Sequence, residues 1–286
     1  MLLRCRDRTL ALDAPVVMGI LNVTPDSFSD GGRHFDRQAA IEAGLRMVEE
    51  GAAIVDVGGE STRPGAAAVG AQEEIDRVVP VIAALAARVD VILSVDTSKP
   101  EVITAALRAG AHLVNDVRAL GLPGALEAAA AHDAAVCLMH MQGTPATMQA
   151  APHYDDVVVE VREFLAARVE ACRRAGIRAE SISIDPGIGF GKTFQHNVEL
   201  LRNLRFFTDL GVPLLVGVSR KALIGIMTGR PAGERLAGSV ALAALSVQAG
   251  AAIIRAHDVP ATVDAVKVAA ALRATLETDC RGEYHG

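Results

Sequence analysis

Amphipathic helical segments alternate along the chain with short apolar runs that are rich in β-branched residues. Several helical segments end at a glycine that precedes an apolar run, as at Gly51, Gly110, Gly211 and Gly250. Glycine suits the left-handed residue that follows a helix C-terminus. The runs are apolar throughout, which is typical of strands covered on both faces. They predict eight strands, at 16–21, 53–58, 91–95, 112–115, 135–139, 181–184, 213–218 and 252–256.

The predicted strands recur at intervals of roughly 34 residues, about the length of a strand with its crossover helix. Even the shortest interval holds a helical segment, in which Ser98 is the expected cap, Pro100 fits the first turn and Glu101 completes a capping box. Eight such units predict an α/β fold, a closed (β/α)8 TIM barrel that forms a single domain over residues 1–286. A doubly wound open sheet is the alternative. Residues 2–13 predict a short N-terminal β-hairpin that covers one barrel end.

Composition limits the class of protein. Hydrophobic residues make up 51% of the 286 positions, which excludes a disordered chain. The net charge of −6 argues against a nucleic-acid partner. The most apolar stretch, 236–254, is broken by polar residues and predicts a buried helix running into a strand, so we expect no membrane partner. Four scattered cysteines and a charged N-terminus without a signal sequence favour a cytoplasmic protein.

Polar residues close or follow the predicted strands, and in a barrel these strand ends meet at one mouth. Asp96, Asn115, Asp185 and Lys221 supply two carboxylates, an amide and an ammonium there. Such a set suits a flat heterocycle with amino and amide-like edges, such as a pterin or guanine. Taken singly, either aspartate also fits a helix cap.

Cationic residues gather at the same mouth and predict an anionic substrate. Arg63, Arg220, Arg255 and His257 are suited to phosphate oxygens. For Arg220 an ordinary ion pair is an equal alternative, because its neighbour Lys221 can take the inward position.

Two further residue types suggest ligand contacts. The amide oxygen of Asn22 suits Mg²⁺ shared with a diphosphate, although a turn-stabilising role fits equally well. Phe28 and Phe190 lie in loops rich in glycine or serine, where they face either a ligand or the loop itself. The Phe190 loop, PGIGFGKT, does not have P-loop spacing.

At these residues the sequence resembles the dihydropteroate synthases of the folate pathway. The similar segments follow the family's order over nearly the whole chain and include MGILNVTPDSFSDGG (18–32), VDVGGESTRPGA (55–66), SVDTSKPEV, AHLVNDV, MHMQGTPATMQ, IDPGIGFGKT, VGVSRKALIG and RAHDV. The resemblance implies a Mg²⁺-assisted transferase that joins 6-hydroxymethyl-7,8-dihydropterin diphosphate to 4-aminobenzoate, giving 7,8-dihydropteroate and diphosphate. It also implies a homodimer packed through the late helices.

The resemblance implies a role for each matching residue. The residues implied to hold the pterin are Asp96, Asn115, Asp185, Lys221 and Arg255. Those implied to hold the diphosphate are Asn22, Thr62, Arg63, Arg255 and His257, with Asn22 also on the metal. Those implied to form the aminobenzoate site are Phe28, Thr62, Pro64, Phe190, Ser219 and Ala222. Those implicated in catalysis are Arg63, Lys221 and Asp30.

Ala222 departs from the family pattern, which commonly has serine after the Ser-Arg-Lys motif. The serine hydroxyl can bind the carboxylate of aminobenzoate, whereas alanine leaves only the backbone N–H at the start of the next helix. We predict that catalysis survives, and that aminobenzoate and sulfonamides bind somewhat more weakly than to an Ala222→Ser variant.

Three other functions compete with this one. A corrinoid-type, pterin-dependent methyltransferase resembles the Asp96, Asn115 and Asp185 set, but it has no use for the STRPG and SRK segments. A Schiff-base aldolase would use Lys221. A non-catalytic pterin-binding paralogue should have lost some diphosphate or loop residues, and here only the Ala222 position departs.

Overall fold

Ten strands and ten α-helices form the part of the chain that the computed structural model describes, residues 1–24, 33–61 and 69–279. The strands are β1 Leu2–Cys5, β2 Arg8–Ala11, β3 Val16–Asn22, β4 Ile54–Gly58, β5 Ile92–Asp96, β6 Leu113–Asp116, β7 Ala135–Met139, β8 Ile182–Asp185, β9 Leu215–Gly217 and β10 Ile253–Ala256. The helices are α1 Arg33–Glu49, α2 Ala71–Ala86, α3 Pro100–Arg108, α4 Ala125–Ala130, α5 Val157–Arg174, α6 Phe194–Arg202, α7 Arg205–Thr208, α8 Ala222–Thr228, α9 Leu236–Gln248 and α10 Val259–Asp279.

Strands β3 to β10 form one parallel sheet that closes into a barrel. Their order is β8-β7-β6-β5-β4-β3-β10-β9. The two ends of this order meet at a parallel bridge between Ile184 and Leu214, where the Ile184 N–H donates to Pro213 O at 3.0 Å. The closed (β/α)8 prediction is confirmed, and the open sheet is wrong. Each of the eight predicted strands is present, within two residues at either end.

The N-terminal hairpin seals one end of the barrel, as predicted. Strands β1 and β2 pair antiparallel, with Cys5 opposite Arg8. Leu3 and Cys5 are fully buried in a cluster with the first inward residues of the barrel strands, such as Met18 and Ile54. This apolar cluster is the floor of the barrel.

The inward positions change from apolar at the floor to polar at the opposite end. Because strand side chains alternate between faces, every second residue points into the barrel. Strand β5 shows the change with Ile92, Ser94 and Asp96. The outward residues, such as Leu93 and Val95, pack in the larger core against the helices. The polar side chains therefore collect at the C-terminal mouth.

Two local predictions need correction. Ser98 does not cap α3: Lys99 occupies the cap position, and the Ser98 hydroxyl donates to Asp116 because a buried carboxylate is the stronger acceptor. Pro100 does lie in the first turn of α3. The stretch 236–254 is a helix running into a strand, but the helix is not buried, since Leu236 and Leu245 face outward. Among the described residues, every helix is too short or too polar to cross a membrane.

Candidate active site

The C-terminal ends of neighbouring strands bring Asn22, Asp96 and Asn115 into one row. Asn22 pairs in register with Gly58, Gly58 with Asp96, and Asp96 with Asn115. A Cβ atom at Gly58 would lie 3.8 Å from both Asn22 Oδ1 and Asp96 Oδ2. The glycine thus keeps space open between an amide oxygen and a carboxylate.

Arg255 forms a fork between two aspartates. Its Nε donates to Asp56 Oδ2 at 2.7 Å, and its terminal NH2 group donates to Asp96 Oδ2 at 2.7 Å. Asn115 Nδ2 donates to the same Asp56 oxygen at 2.9 Å. One buried carboxylate therefore orients both the arginine and the amide that were predicted to hold a pterin.

Asp56 is a site residue that the sequence analysis missed. It is fully buried, and its Oδ1 atom has no hydrogen-bond partner among the described residues. A buried carboxylate oxygen without a donor is costly to maintain. The signal in the sequence is an aspartate in the middle of the apolar strand Ile54–Gly58.

Burial changes the electrostatics of the arginine fork. Burial raises the pKa of the Asp96 carboxyl to about 7, although the positive charge of Arg255 opposes this shift. Burial also disfavours the charged form of Arg255. The negative charges of Asp56 and Asp96 have the larger effect and raise the pKa of the guanidinium. The arginine therefore stays charged, whereas the Asp96 carboxyl is easier to protonate than that of a solvent-exposed aspartate.

Asp185 and Lys221 form the opposite side of the site. Asp185 Oδ1 accepts a hydrogen bond from the Gly187 N–H at 2.7 Å, and burial raises the pKa of its carboxyl. Burial lowers the pKa of Lys221 to about 8, with Asp185 opposing. The helix-cap alternative is therefore wrong for Asp185, as it is for Asp96, since Thr193 caps α6 and Lys99 holds the cap position of α3.

Phe190 packs directly against Lys221. The Lys221 Nζ atom lies 4.0 Å from the centre of the Phe190 ring, a cation–π contact. The contact depends on Gly189, whose φ is +85° and where a Cβ would lie 3.2 Å from Lys221 Cδ. The Phe190 ring thus lies beside an ammonium that is predicted to hold the pterin.

Ser219 and His257 contact one another at the ends of β9 and β10. Ser219 Oγ lies 3.0 Å from His257 Nδ1, and the His257 backbone N–H donates to the same hydroxyl at 3.2 Å. The pair links the predicted aminobenzoate and diphosphate subsites.

Arg220 forms an ion pair with Asp258, which follows the C-terminal end of β10. Its guanidinium donates to both oxygens of Asp258, at 2.9 Å for the Nε bond. The structure therefore shows the ion-pair alternative for Arg220, and its phosphate-binding role stays a prediction. Its φ of +57° turns the chain so that Lys221 points inward instead.

The remaining predicted residues divide into two groups. Ala222 is exposed as the first residue of α8. Five residues lie outside the described part of the chain: Phe28, Asp30, Thr62, Arg63 and Pro64. The flanks of 62–68 are described, and Glu60 links them by accepting from the Val69 N–H at 2.9 Å and from Lys99 Nζ at 2.7 Å.

The described residues contain no group of three histidines, cysteines or acids able to enclose a metal ion. The row at Asn22 fits a metal held in another way. Its amide oxygen is a hard donor beside the space that Gly58 leaves open, and such a donor suits Mg²⁺ that keeps substrate and water ligands.

Comparison with known proteins gives consistent similarities. Residues 18–257 match the family model described as pterin binding enzyme. The chain is 53% identical over 269 residues to dihydropteroate synthase from Escherichia coli strain K12, covering 94% of this chain and 95% of that one.

Solved structures agree with the sequence comparison. Yersinia pestis dihydropteroate synthase in a sulfonamide drug complex is 53% identical, with a TM-score of 0.91 over 96% of this chain and 100% of that chain. The Xanthomonas albilineans dihydropteroate synthase in complex with 7,8-dihydropteroate is 52% identical, with a TM-score of 0.88 over 96% of this chain and 99% of that chain.

Proposed function

The chain belongs to the pterin-binding enzymes, and from that premise we propose how its barrel mouth performs the reaction of a dihydropteroate synthase. The protein condenses 6-hydroxymethyl-7,8-dihydropterin diphosphate with 4-aminobenzoate in folate biosynthesis. The bond between the methylene carbon and the diphosphate oxygen breaks and leaves a cation that is delocalised into the pterin, and the amine nitrogen attacks this cation. Diphosphate leaves with the electron pair, and the amine loses one proton to solvent.

The observation that carries the proposal is the convergence of the predicted pterin residues at one mouth. Asp185 and Lys221 offer an acceptor and a donor on one side, and Asn115 and Asp96 offer an amide and a carboxyl on the other. Such a set matches the alternating donors and acceptors along a pterin edge. Arg255, oriented by Asp56 and Asp96, lies between them and stacks on the pterin face.

Diphosphate is a good leaving group once its charge is balanced. Arg255 and Arg63 supply the cations in this proposal and His257 supplies a hydrogen-bond donor, with Arg63 assigned by family membership. Asn22 would hold Mg²⁺ together with diphosphate oxygens, and the bound metal would neutralise the charge that develops on the leaving group. The site needs no protein nucleophile, because aminobenzoate brings its own amine.

Aminobenzoate binds beside the Phe190 ring in this proposal, with its amine toward the methylene carbon. The Ser219 hydroxyl, fixed by His257 at 3.0 Å, borders the same space. Thr62, Pro64 and Phe28 are assigned there by family membership. Arg63 and Asp30 complete the catalytic set on the same ground.

A homodimer forms part of the proposal. Helix α9 packs against both α8 and α10, and the three helices carry large exposed apolar side chains: Ile226, Met227, Leu236, Leu245, Val268 and Leu272. A patch of this kind on a monomer is typical of an interaction surface. A second copy of the chain is the partner that family membership indicates.

A cytoplasmic location also forms part of the proposal. Cys5, Cys137 and Cys172 are free and buried. Burial raises the pKa of Cys5 to about 12 and that of Cys172 to about 11, so the reactive thiolate forms are suppressed. Unpaired thiols suit a reducing compartment.

Diphosphate release from purified protein tests the reaction. The assay contains the dihydropterin diphosphate with Mg²⁺, with and without 4-aminobenzoate. We expect release that depends on aminobenzoate and yields a pteroate product, and that falls when Mg²⁺ is removed by a chelator. Pterin binding without diphosphate release would contradict the proposal.

A further inference from the structure

Lys192 is a buried lysine behind the barrel mouth that the proposed reaction does not use. Lys192 is only 2% exposed to solvent. Its Nζ atom lies 2.9 Å from Phe190 O, 3.0 Å from His140 Nδ1 and 3.3 Å from His140 O. A buried amine needs such acceptors, and all three come from His140, which follows β7, and from Phe190 in the loop after β8.

His140 is held as a neutral acceptor for this amine. Burial and the Lys192 charge lower the pKa of its imidazole to about 3. The ring packs edge-on against Phe164, with 4.9 Å between the ring centres. His140 is therefore held by the surrounding core as well as by Lys192.

The contact to Phe190 is the one that reaches the site. Lys192 holds the Phe190 carbonyl at 2.9 Å, while the Phe190 N–H donates to Gly187 O at 3.1 Å. Both backbone polar groups of Phe190 are thereby fixed, and its ring packs under Lys221 Nζ at 4.0 Å. A chain of direct contacts runs from Lys192 through Phe190 to Lys221.

We propose that Lys192 is a positioning residue: it fixes the Phe190 backbone and so holds the Phe190 ring against the Lys221 ammonium. The kinetic part of this inference rests on the proposed function, in which Phe190 borders aminobenzoate and Lys221 holds the pterin. The geometric part stands apart from any reaction.

Tyr154 offers a matched control on the same loop. Its hydroxyl donates to Gly191 O at 2.7 Å, one carbonyl further along the chain. Tyr154→Phe removes a buried hydrogen bond to this loop while leaving the Phe190 carbonyl with Lys192. Lys192→Met removes the donor to Phe190 and keeps an unbranched side chain of similar length. A general loosening of the loop would affect both variants alike.

Lysine NMR tests the geometry without any turnover. The chain has only four lysines, Lys99, Lys192, Lys221 and Lys267, so selective ¹³C labelling of the lysine ε-methylene groups gives few signals. We expect the Lys221 signal to be shielded by the Phe190 ring, to lose that shielding in Lys192→Met and to keep it in Tyr154→Phe. An unchanged Lys221 signal in Lys192→Met would overturn the inference.

Steady-state kinetics test the consequence for the site. We expect Lys192→Met to raise the KM for 4-aminobenzoate about tenfold, since small misplacements are costly, and Tyr154→Phe to leave it within about twofold. In a Phe190→Leu background the effect of Lys192→Met should largely vanish, because residues in one contact chain are not additive. Additive effects of the two substitutions would contradict a role through Phe190.

Lys192→Gln is the second variant for these measurements if Lys192→Met does not accumulate as folded protein. Its amide keeps an N–H donor, so partial shielding of Lys221 and an intermediate KM are expected. Loss of folding in both variants would assign Lys192 to stability and overturn the positioning role. An inactive wild-type protein would defeat the proposed function, while the NMR result would still decide the geometry.

Discussion

At the scale of single residues, Asp56 organises the polar side of the mouth. Its Oδ2 atom accepts from both Arg255 and Asn115, and its Oδ1 atom is without a partner in the described structure. Losing one member of a buried charged pair costs more than the net value of the pair, because the other charge is left behind. Asp56 is thus expected to matter for the site even if it never touches substrate.

We predict that Asp56→Asn weakens pterin binding at least about tenfold, because Arg255 loses a charged acceptor and Asn115 faces a second amide. Isothermal titration calorimetry with a pterin measures the effect. Asp133→Asn is the control, since Asp133 pairs with Arg178 at 3.3 Å in an exposed ion pair. Equal pterin affinity in the two variants would count against the role of Asp56.

Burying the Lys221 ammonium costs folding free energy, and the same side chain takes part in the proposed site. Burial lowers its pKa from 10.5 to about 8, so the folded protein binds fewer protons than the unfolded chain between these values. Stability from this group therefore rises with pH through that window, and the cost of burying the ammonium is fully present below pH 8. Pterin affinity should change in the opposite direction, because the donor is lost above pH 8.

We predict that Lys221→Met at pH 7 raises Tm by about 2–4 °C while it abolishes measurable pterin binding. Thermal unfolding and calorimetry on the same sample check both parts. Lys267→Met, at an exposed position of α10, should change neither quantity. A lower Tm in Lys221→Met would show that the buried ammonium stabilises the fold.

Ala222→Ser tests the departure from the family pattern. The added hydroxyl lies at the exposed start of α8, two residues after the inward turn at Arg220. We predict a lower KM for 4-aminobenzoate and tighter sulfonamide binding, by a few-fold, with kcat little changed. Steady-state kinetics decide the matter, and an unchanged or higher KM would refute the expectation.

At the scale of elements, the apolar strand runs and the glycines that precede them were enough to predict the barrel. Gly51, Gly110, Gly211 and Gly250 all have positive φ, as their places after helices require. Local signals failed where a tertiary partner competed. Ser98 donates to Asp116, which lies beyond the next helix in the chain, and no sequence pattern marks that partner.

The predicted site shows the same division. Strand-end polar residues such as Asp96 and Asp185 could be located because barrel geometry fixes where strands end. Asp56 lies two residues before its strand end, and Lys192 is buried within the loop that carries Phe190. Which neighbours each would face depends on strand register and loop packing, and the sequence pattern specifies neither.

The N-terminal hairpin carries a prediction about stability alone. Leu3 is fully buried in the barrel floor, whereas Leu2 is exposed on the same strand. We predict that Leu3→Ala lowers the free energy of unfolding by about 2–5 kcal/mol and that Leu2→Ala changes it by less than about 0.5 kcal/mol. Urea unfolding measures both. Because the floor is opposite the mouth, kcat/KM should stay unchanged; a large drop in activity would contradict that separation.

At the scale of the whole molecule, the exposed apolar surface on α8, α9 and α10 predicts self-association. Leu245 is 63% exposed on α9, so Leu245→Glu should convert the proposed dimer to monomer without harming the fold. Analytical ultracentrifugation measures the mass. Val159→Glu alters an exposed apolar residue on α5 and should remain dimeric. A monomeric wild-type protein, or a dimer that survives Leu245→Glu, would reject the proposed interface.

The pairing of β3 with β10 has a consequence for how the protein is made. Val16 lies beside Ile253 and Gly19 beside Ala256. The first strand of the barrel in chain order therefore pairs with the last strand. On a ribosome, nearly the whole polypeptide must emerge before the cylinder can close. Until then the apolar floor and the edge of β3 stay uncovered, and uncovered surfaces of this kind favour aggregation of the incomplete chain.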